Sequence, residues 1–294
     1  MSKARFTPYY ALMLLASLGF TQSLAVAAEN TIEEVVVTAD FRARSELETA
    51  ASVTVMTDTV IKSRAAQHFE ELVNAIPNVN YASGSNRARF FQIRGIGERS
   101  QFVAPVNPSV GFLVDNVDFS GAATIATMMD VEQVEVLRGP QGTRYGANAL
   151  AGLINVKTHD PEDQFAASLK LGAADYNTNT VAAMITGPVA ETVSARLALE
   201  RHRSDGYYEN DYLQTDRNNA QDELSIRGKL SAEMSSSWKL DLTMSHVDVD
   251  NGYDAFTLDN SRTTLSDEPG RDQQESLALA IDSFGKKSCS SLSH

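Results

Sequence analysis

Five segments between residues 165 and 282 alternate apolar and polar side chains, and this period of two limits the fold more than any other feature. Successive side chains of a β-strand point to opposite faces of a sheet, so the period predicts strands with one apolar face. A sixth strand, residues 178–186, is more uniformly apolar. The alternating apolar positions are Phe165, Ala167, Leu169 and Leu171; Val193, Ala195, Leu197 and Leu199; Leu224, Ile226 and Leu230; Trp238, Leu240, Leu242 and Met244; and Leu277, Leu279 and Ile281.

Two architectures produce such alternation. A soluble sandwich buries the apolar face between two sheets, whereas a membrane barrel turns it to lipid and keeps charged side chains inside. The strands are about as long as a tilted bilayer crossing requires, roughly 9–11 residues. Short turns are predicted at Gly187-Pro188 and Ser235–Ser237, and long polar connections at 204–222 and 249–274. Short turns at one end and long loops at the other favour the barrel.

The region before these strands mixes strand and helix patterns, which predicts an α+β domain. Residues 52–57 form a strand pattern, and apolar residues then recur at helical spacing from Ile61 to Ile76. Asp58 can cap this helix, and His68 can cap a second short helix after a break. Pro77 ends the helical pattern.

The N-terminus has the pattern of a cleaved signal peptide. Lys3 and Arg5 precede an apolar run, residues 11–20, and Ala25-Val26-Ala27 offers a cleavage site. The alternative is a membrane anchor, but a span needs about 20 apolar residues. We therefore expect residues 1–28 to be removed on export.

Composition excludes several functions. The chain has 25 Lys and Arg against 38 Asp and Glu, and removing two basic residues with 1–28 leaves 23 against 38, a net charge of −15. Such an acidic chain is poorly suited to nucleic acid. The single Cys289 cannot form an internal disulfide. The five histidines are scattered and match no catalytic or metal motif, so we expect no catalytic residue, no metal site and no cofactor.

Residues 131–158, VEQVEVLRGPQGTRYGANALAGLINVKT, join two apolar strands through a loop rich in Gly and Pro. Gly139, Pro140, Gly142 and Gly146 punctuate this loop. The string resembles the end of the plug domain of TonB-dependent outer-membrane receptors at nearly every position. The resemblance implies a plug domain at 51–160, followed at 161–284 by the first six strands or so of an antiparallel transmembrane barrel, incomplete in this chain.

A run of β-branched residues near the mature N-terminus predicts an extended segment within the linker 29–50. It can be an edge strand of the next domain, or a peptide that adds a strand to a partner's sheet. It resembles the TonB box of the family, which implies contact with the TonB protein of an energised inner-membrane complex. The residues are Ile32, Glu33, Glu34, Val35, Val36, Val37, Thr38 and Ala39.

The resemblance also implies a function, which is uptake of a scarce ligand across the outer membrane of a Gram-negative cell. An iron–siderophore complex is the expected ligand, although cobalamin, haem or saccharide are alternatives, and outer-membrane lipid surrounds the barrel. Arg94 and Arg138 match arginines that lock the family plug to barrel glutamates. Upper plug loops are expected at 81–89 and 98–107, where the candidate ligand contacts are Tyr81, Arg87, Arg89, Arg99, Gln101 and Phe102.

The resemblance stops in mid-barrel. Residues 285–294 break the alternation, and about 22 strands are needed around a plugged lumen. We therefore expect a truncated receptor that is incompetent for transport. The alternative is a soluble periplasmic fragment that binds TonB without transport.

Overall fold

The computed structural model describes residues 36–37, 44–45, 52–83, 87–100, 105–253, 257, 259–267 and 270–285. The predicted signal peptide, most of the predicted TonB box and linker, and the tail beyond residue 285 lie outside these residues. Two parts are described below: an inner domain, residues 52–160, and an outer sheet built from the strands that follow. None of the helices in this described part combines the length and apolarity of a membrane span.

The inner domain is built around a mixed five-stranded sheet. Its strand order is β3-β8-β9-β6-β7, in which β6 and β9 are parallel and the other pairs antiparallel. A hairpin of β4 and β5 packs beside it. The strands are β3 (Ser52–Thr57), β4 (Val79–Ala82), β5 (Phe90–Ile93), β6 (Val110–Val114), β7 (Val117–Asp118), β8 (Val131–Arg138) and β9 (Gly152–Thr158), preceded by the short strands β1 (Val36–Val37) and β2 (Arg44–Ser45).

Aromatic and aliphatic side chains fill the core between this sheet and the helical segments. Phe69 meets Phe91 edge-on at 4.8 Å between ring centroids, and Phe112 lies 5.9 Å from both rings. Val134 and Val136 of the interior strand β8 face the same cluster and are fully buried. Side chains from both the sheet and the helical segments therefore form the core of the inner domain.

The predicted helical pattern is split in two, as the break near His68 indicated. An α-helix spans Asp58–Ser63, and a 3₁₀ segment spans Phe69–Ala75 with His68 as its N-cap. The prediction for Asp58 was wrong: Thr57 holds the N-cap position, and Asp58 already lies in the first turn. There its carboxylate suits the positive end of the helix dipole and pairs with Lys62 at 2.7 Å.

The connection between β8 and β9 is longer than a tight turn and includes a short helix, Gly142–Tyr145. Two backbone segments approach each other closely at Gly152, a residue that the sequence analysis does not name. A Cβ there would collide with the carbonyl oxygen of Leu137, and φ is +156°. Only glycine fits this first residue of β9.

The outer sheet contains six antiparallel strands, as predicted. Their order follows the chain, β10-β11-β12-β14-β15-β17, with β10 and β17 at its two edges. The strands are β10 (Ala166–Ala174), β11 (Thr178–Ala190), β12 (Val193–Ser204), β14 (Gln221–Ser235), β15 (Trp238–Gly252) and β17 (Arg271–Gly285). Among the described residues the sheet is open and does not close into a barrel.

The strands run further than the alternating pattern suggested. Both β14 and β15 have 15 residues and extend into the predicted loops. The turn predicted at Gly187-Pro188 was wrong, because β11 continues through it with a bulge and turns at Glu191–Thr192 instead. Proline is tolerated at such an irregularity, where a ladder hydrogen bond is already missing. The turn near Ser235–Ser237 is confirmed by the β14–β15 hairpin.

The two ends of the outer sheet differ. At the end called here the turn end, β11–β12 and β14–β15 are joined by two-residue turns. At the opposite end, called the loop end, residues 205–220 and 253–270 form long connections. These two connections pair with each other through β13 (Glu209–Asn210) and β16 (Thr263–Thr264), which are parallel.

Candidate functional site

The candidate site is the surface where the inner domain meets the outer sheet. Most side chains of β12 and β14 that face the inner domain are polar or charged and buried, and Ala198 is the buried apolar exception. Their neighbours Leu197, Leu199 and Leu230 point to the other face and are exposed. The buried set is Ser194, Arg196, Glu200, His202, Ser225, Arg227 and Lys229.

Asp130 of the inner domain binds Arg196 of β12. The guanidinium Nε and Nη2 atoms lie 2.7 and 2.6 Å from the two carboxylate oxygens. Glu162 accepts a further hydrogen bond from Arg196 Nη1 at 3.0 Å. Such a bidentate pair fixes both distance and orientation.

Asp115 makes a second acidic contact to the same strands. Lys229 Nζ lies 3.2 Å from its carboxylate, and Arg227 Nε lies 3.8 Å away. Thr158 donates its backbone N–H and its hydroxyl to Asp115, at 2.9 and 2.6 Å. Burial alone would raise the pKa of Asp115, but Lys229, Arg227 and these hydrogen bonds hold the pKa below its usual value.

Asp115 and Asp130 share an uncommon backbone conformation. Their φ angles are +46° and +55°, in the left-handed region that Asp and Asn tolerate best after glycine. Both lie at strand ends, Asp115 after β6 and Asp130 before β8. The turns therefore direct both carboxylates toward the outer sheet.

Arg227 is the least satisfied of the basic side chains. Its Nη1 donates to the carbonyl oxygen of Met129 at 2.9 Å, while its Nε has no hydrogen-bond partner among the described residues. A buried donor without an acceptor is unfavourable. The nearest acidic oxygen belongs to Asp115, just beyond hydrogen-bond range.

Arg87 makes a contact in which the charges are reversed. Here the basic residue belongs to the inner domain and the acidic residue to the outer sheet. It binds Glu223 of β14 through Nε and Nη2, at 2.8 and 3.3 Å, and Glu70 and Glu71 through Nη1. Burial alone would lower the pKa of Arg87, but Glu223, Glu70 and Glu71 together raise it above its ordinary value. Three carboxylates bind its buried guanidinium in this structure, and its role as a ligand contact stays a prediction.

His68 supports this arginine cluster from within the inner domain. Its Nδ1 accepts the backbone N–H of Glu70 at 3.3 Å, which leaves the proton on Nε2, 3.1 Å from the carbonyl oxygen of Ala123. It is a cap, as predicted, but it is buried rather than at the surface. Burial, followed by the charge of Arg87, lowers the pKa of His68 despite Glu70 and Glu223.

Arg94 and Arg138 lie away from the outer sheet. Arg138 donates to Ser52 Oγ and to the carbonyl oxygens of Pro77 and Val53, all within the inner domain. Arg94 is exposed, with φ of +54°. Neither forms an ion pair with any residue in the described ranges, and their predicted role as locks stays a prediction.

Three of the other candidate ligand contacts, Tyr81, Arg89 and Arg99, lie in the described part of the inner domain. Tyr81 is 40% exposed, and Arg89 donates to the carbonyl oxygen of Gly121 at 2.7 Å and lies over the Phe90 ring. Arg99 is near the carbonyl oxygen of Gly95, at 3.4 Å. Gln101 and Phe102 lie outside the described residues. In the described ranges, no three His, Cys, Asp or Glu side chains are grouped to hold a metal ion.

Of the predicted TonB box, the structure describes Val36 and Val37, which form β1. They pair antiparallel with Ser45 and Arg44 of β2. Val37 is fully buried against Val53, Leu113, Leu137 and Leu153. This short pair therefore packs on the face of the mixed sheet opposite the aromatic core.

Sequence reasoning missed the acidic and basic residues that join the two parts. A signal was present, since Arg196, Glu200, Arg227 and Lys229 occupy the polar positions of alternating strands. Charged side chains on one face of such a sheet need oppositely charged partners on the surface that covers this face. Which partners these are depends on how the inner domain is seated, and no local pattern carries that information.

Comparison with known proteins identifies the inner domain. Residues 45–153 match the family model of the TonB-dependent receptor plug domain. The vitamin B12 transporter BtuB of Vibrio vulnificus is 23% identical over 248 residues, covering 82% of this chain and 38% of that protein. The pesticin receptor of Yersinia enterocolitica is 28% identical over 164 residues, covering 55% of this chain and 24% of that protein. The chain thus spans less than two-fifths of the length of these relatives.

Solved structures share the arrangement of both parts. The ferric yersiniabactin uptake receptor FyuA from Yersinia pestis superposes with a TM-score of 0.66 at 24% identity, over 79% of this chain and 37% of that one. The outer-membrane ferripyoverdine receptor of Pseudomonas aeruginosa gives 0.66 at 18% identity, over 85% and 34%. At these identities the likeness concerns the fold.

Proposed function

We propose that this chain serves TonB-driven uptake of a scarce ligand. It covers the plug and part of the barrel of a TonB-dependent outer-membrane receptor. One observation carries the proposal: the outer sheet exposes leucines and buries arginine, lysine and glutamate against the plug. In water on both sides, the leucines would be buried and the charged side chains exposed. Lipid outside the sheet and a polar plug inside it favour the observed arrangement. The inner domain is the plug, and the outer sheet is barrel wall.

The proposed location is the outer membrane of a Gram-negative cell, after removal of residues 1–28 during export. Leu169, Leu171, Leu277, Leu279 and Ile281 would then contact lipid, since all are exposed on the outward face of the sheet. Trp238 is exposed at the turn end of β15, where an interfacial aromatic side chain is expected.

The proposed TonB contact is the segment Ile32–Ala39. An extended peptide can add to the edge of a partner's sheet through backbone hydrogen bonds. The β1–β2 pairing supports this role in one respect, since Val36 and Val37 already adopt strand conformation. TonB would have to replace β2 as the pairing partner of these residues.

For the ligand we propose an iron–siderophore complex. Arg89 and Arg99, with Tyr81, Gln101 and Phe102 nearby in sequence, supply cationic and aromatic groups suited to an anionic chelate. The relatives include a B12 transporter and receptors for ferric yersiniabactin and ferripyoverdine, so iron complexes and cobalamin are the first candidates. Arg94 and Arg138 remain proposed locks to other parts of a barrel.

A binding experiment tests the TonB contact on the whole chain. Val36→Pro removes a backbone donor from the segment, whereas Val36→Thr keeps it and changes the side chain alone. With the purified periplasmic domain of TonB, we expect Val36→Pro to weaken binding by roughly tenfold or more and Val36→Thr to retain it. Equal binding by both variants would refute the assignment of the segment.

A ligand experiment uses two probes, a ferric catecholate and cyanocobalamin. The paired variant Arg89→Gln/Arg99→Gln should weaken binding of the anionic ferric catecholate and leave cyanocobalamin unaffected. Binding of cyanocobalamin alone would reject the siderophore in favour of a corrinoid.

A second candidate function is a soluble periplasmic fragment that binds TonB without transport. The open sheet favours it, since within the described ranges β10 and β17 are each paired on one side only, and unpaired strand edges are unfavourable in lipid. Fractionation separates the two functions: a receptor is found in the outer membrane and migrates faster on a gel before heating than after. A fragment is found in the soluble periplasm and shows no such shift.

A further inference from the structure

The charged side chains on the inner face of β12 and β14 are ordered by sign along the strands. The two strands are in register, so that Arg196 is opposite Lys229, Ala198 opposite Arg227, Glu200 opposite Ser225, and His202 opposite Glu223. These four pairs define four levels from the turn end to the loop end. The first two levels are basic, and the next two are acidic.

The plug carries the complementary order. Asp130 and Asp115 contact the basic levels through Arg196 and Lys229, with distances of 2.6 and 3.2 Å. Arg87 contacts the outermost acidic level through Glu223 at 2.8 Å. All three plug side chains are nearly buried, so their charges depend on these partners for stabilisation.

We propose that these levels form a charge register, which fixes the height of the plug against the wall and prevents it from sliding as a rigid body. Alternate residues of a strand are about 6.6 Å apart, so two levels correspond to roughly 13 Å. A slide of two levels toward the loop end brings Asp115 and Asp130 to the level of Glu200. A slide of two levels toward the turn end brings Arg87 to the level of Arg227. Each direction sets like charges against each other in a buried interface.

The register permits a smaller step. A shift of one level toward the loop end takes Asp115 from Lys229 to Arg227, whose Nε has no hydrogen-bond partner among the described residues and lies 3.8 Å from Asp115. Arg227 is therefore close enough to bind the Asp115 carboxylate when that carboxylate leaves Lys229. Passage of a ligand therefore requires rearrangement inside the plug, because sliding ends after about one level.

The inference rests on the proposed assembly of plug and barrel, but not on any ligand or on TonB. Its test uses thiol labelling instead of uptake, so failure of transport and failure of the register are seen separately. Ser225→Cys places a reporter of nearly equal size in the first acidic level, opposite Glu200, where the native side chain is 4% exposed. Cys289→Ser removes the native thiol from the background.

The decisive variant is Glu200→Gln in the whole membrane-embedded chain. Glu200 makes none of the resting contacts of Asp115, Asp130 or Arg87, yet it blocks their movement toward the loop end. The register predicts that maleimide labelling of the reporter rises by roughly threefold, because only the displaced state becomes more favourable. The matched control is Asp222→Asn, which removes a carboxylate from the outward face of the same sheet. Equal labelling of the two variants would overturn the proposal.

A second pair of variants tests the like-charge step directly. Glu223→Lys sets two cations against each other at the outermost level and should raise labelling by roughly tenfold or more. Adding Arg87→Met should reverse most of this rise, since Glu70 and Glu71 then face the new lysine without competition. No reversal would contradict the register.

Hydrogen exchange at Val134 and Val136 distinguishes movement of the plug from its unfolding. Both residues lie in β8, an interior strand of the mixed sheet, and their amides should stay protected in every variant. Increased labelling that coincides with lost protection would also overturn the proposal, since it requires a plug that moves while folded.

Discussion

The plug and the barrel wall use the same alternation of apolar and polar residues in opposite senses. In the plug, Val134 and Val136, two positions apart in β8, are fully buried in the core. In the wall, Leu279 is 63% exposed, while Arg227 is buried. Period two therefore specifies a strand, but the medium on each side decides which face is turned inward.

The difference shows where each region gains stability. The plug gains it by removing apolar surface from water within its own core. The wall has no such core of its own among the described residues, so in the proposed receptor its apolar face meets lipid and its polar face meets the plug. The ion pairs at Asp115, Asp130 and Arg87 join two regions that do not continue one sheet and share only a small apolar cluster among the described residues, Ile125 with Val247 and Val249.

The largest expected contrast compares two leucines. Leu72→Ala leaves a cavity in the plug core and should lower its free energy of unfolding by about 2–5 kcal/mol. Leu279→Ala should change plug stability by less than about 0.5 kcal/mol, because that side chain lies outside the core. Hydrogen exchange of the β8 amides measures both. Similar losses in the two variants would mean that Leu279 packs in the plug core, contrary to the structure.

Arginine substitutions on adjacent residues of β17 test which face meets lipid. Leu279→Arg should destabilise the wall in a bilayer by about 2–4 kcal/mol, as expected for arginine near the midplane. Ala280→Arg, on the other face, should have the smaller effect. Unfolding by urea in lipid vesicles compares the two. A larger effect at Ala280 would reverse the assignment of the faces.

The buried His68 predicts a pH dependence that belongs to the plug. Because its pKa in the folded plug is below the ordinary value of 6.5, the unfolded state binds more protons as pH falls below 6.5. Plug stability should therefore decrease from pH 7 to pH 5, by at most about 1.4 kcal/mol per pH unit.

His68→Asn keeps an N-cap side chain and should remove this slope. His159→Asn serves as the control, since His159 is partly exposed. The pKa of Asp115 is lowered as well, but that stability is lost only at pH values below about 4. A slope that persists in His68→Asn would assign the pH dependence to other groups.

The smallest expected effect concerns two asparagines in turns, one in the plug and one in the wall. Asn116 in the plug and Asn177 in the wall have φ angles of +65° and +54°, each beside a second left-handed residue in a turn. Alanine at either position should cost about 1 kcal/mol, whereas glycine should be nearly neutral. Thermal unfolding of each variant gives the values. Unequal costs would show that even these turns depend on their surroundings.

The sequence predicted the strands well because the period of the apolar residues is local information. The six wall strands, the split of the helical segment at His68 and the turn near Ser235–Ser237 follow from it. The turn at Gly187-Pro188 failed because a bulge in β11 accommodates residues that usually end strands.

The plug–wall contacts could not be predicted in the same way. Arg87 looked like a loop residue open to a ligand, yet its partner Glu223 is 136 positions away in sequence. Asp115 and Lys229 are separated by 114 positions. Such pairs depend on the seating of one domain in another.

The link between the two long connections at the loop end has an immunological consequence. Asn210 donates to the carbonyl oxygen of Ser266 at 2.8 Å, and β13 pairs with β16, so both connections are held together. Side chains from two distant stretches of the chain therefore form one continuous surface. An antibody raised on the folded protein would recognise a composite epitope, and a linear peptide from either stretch would not reproduce it.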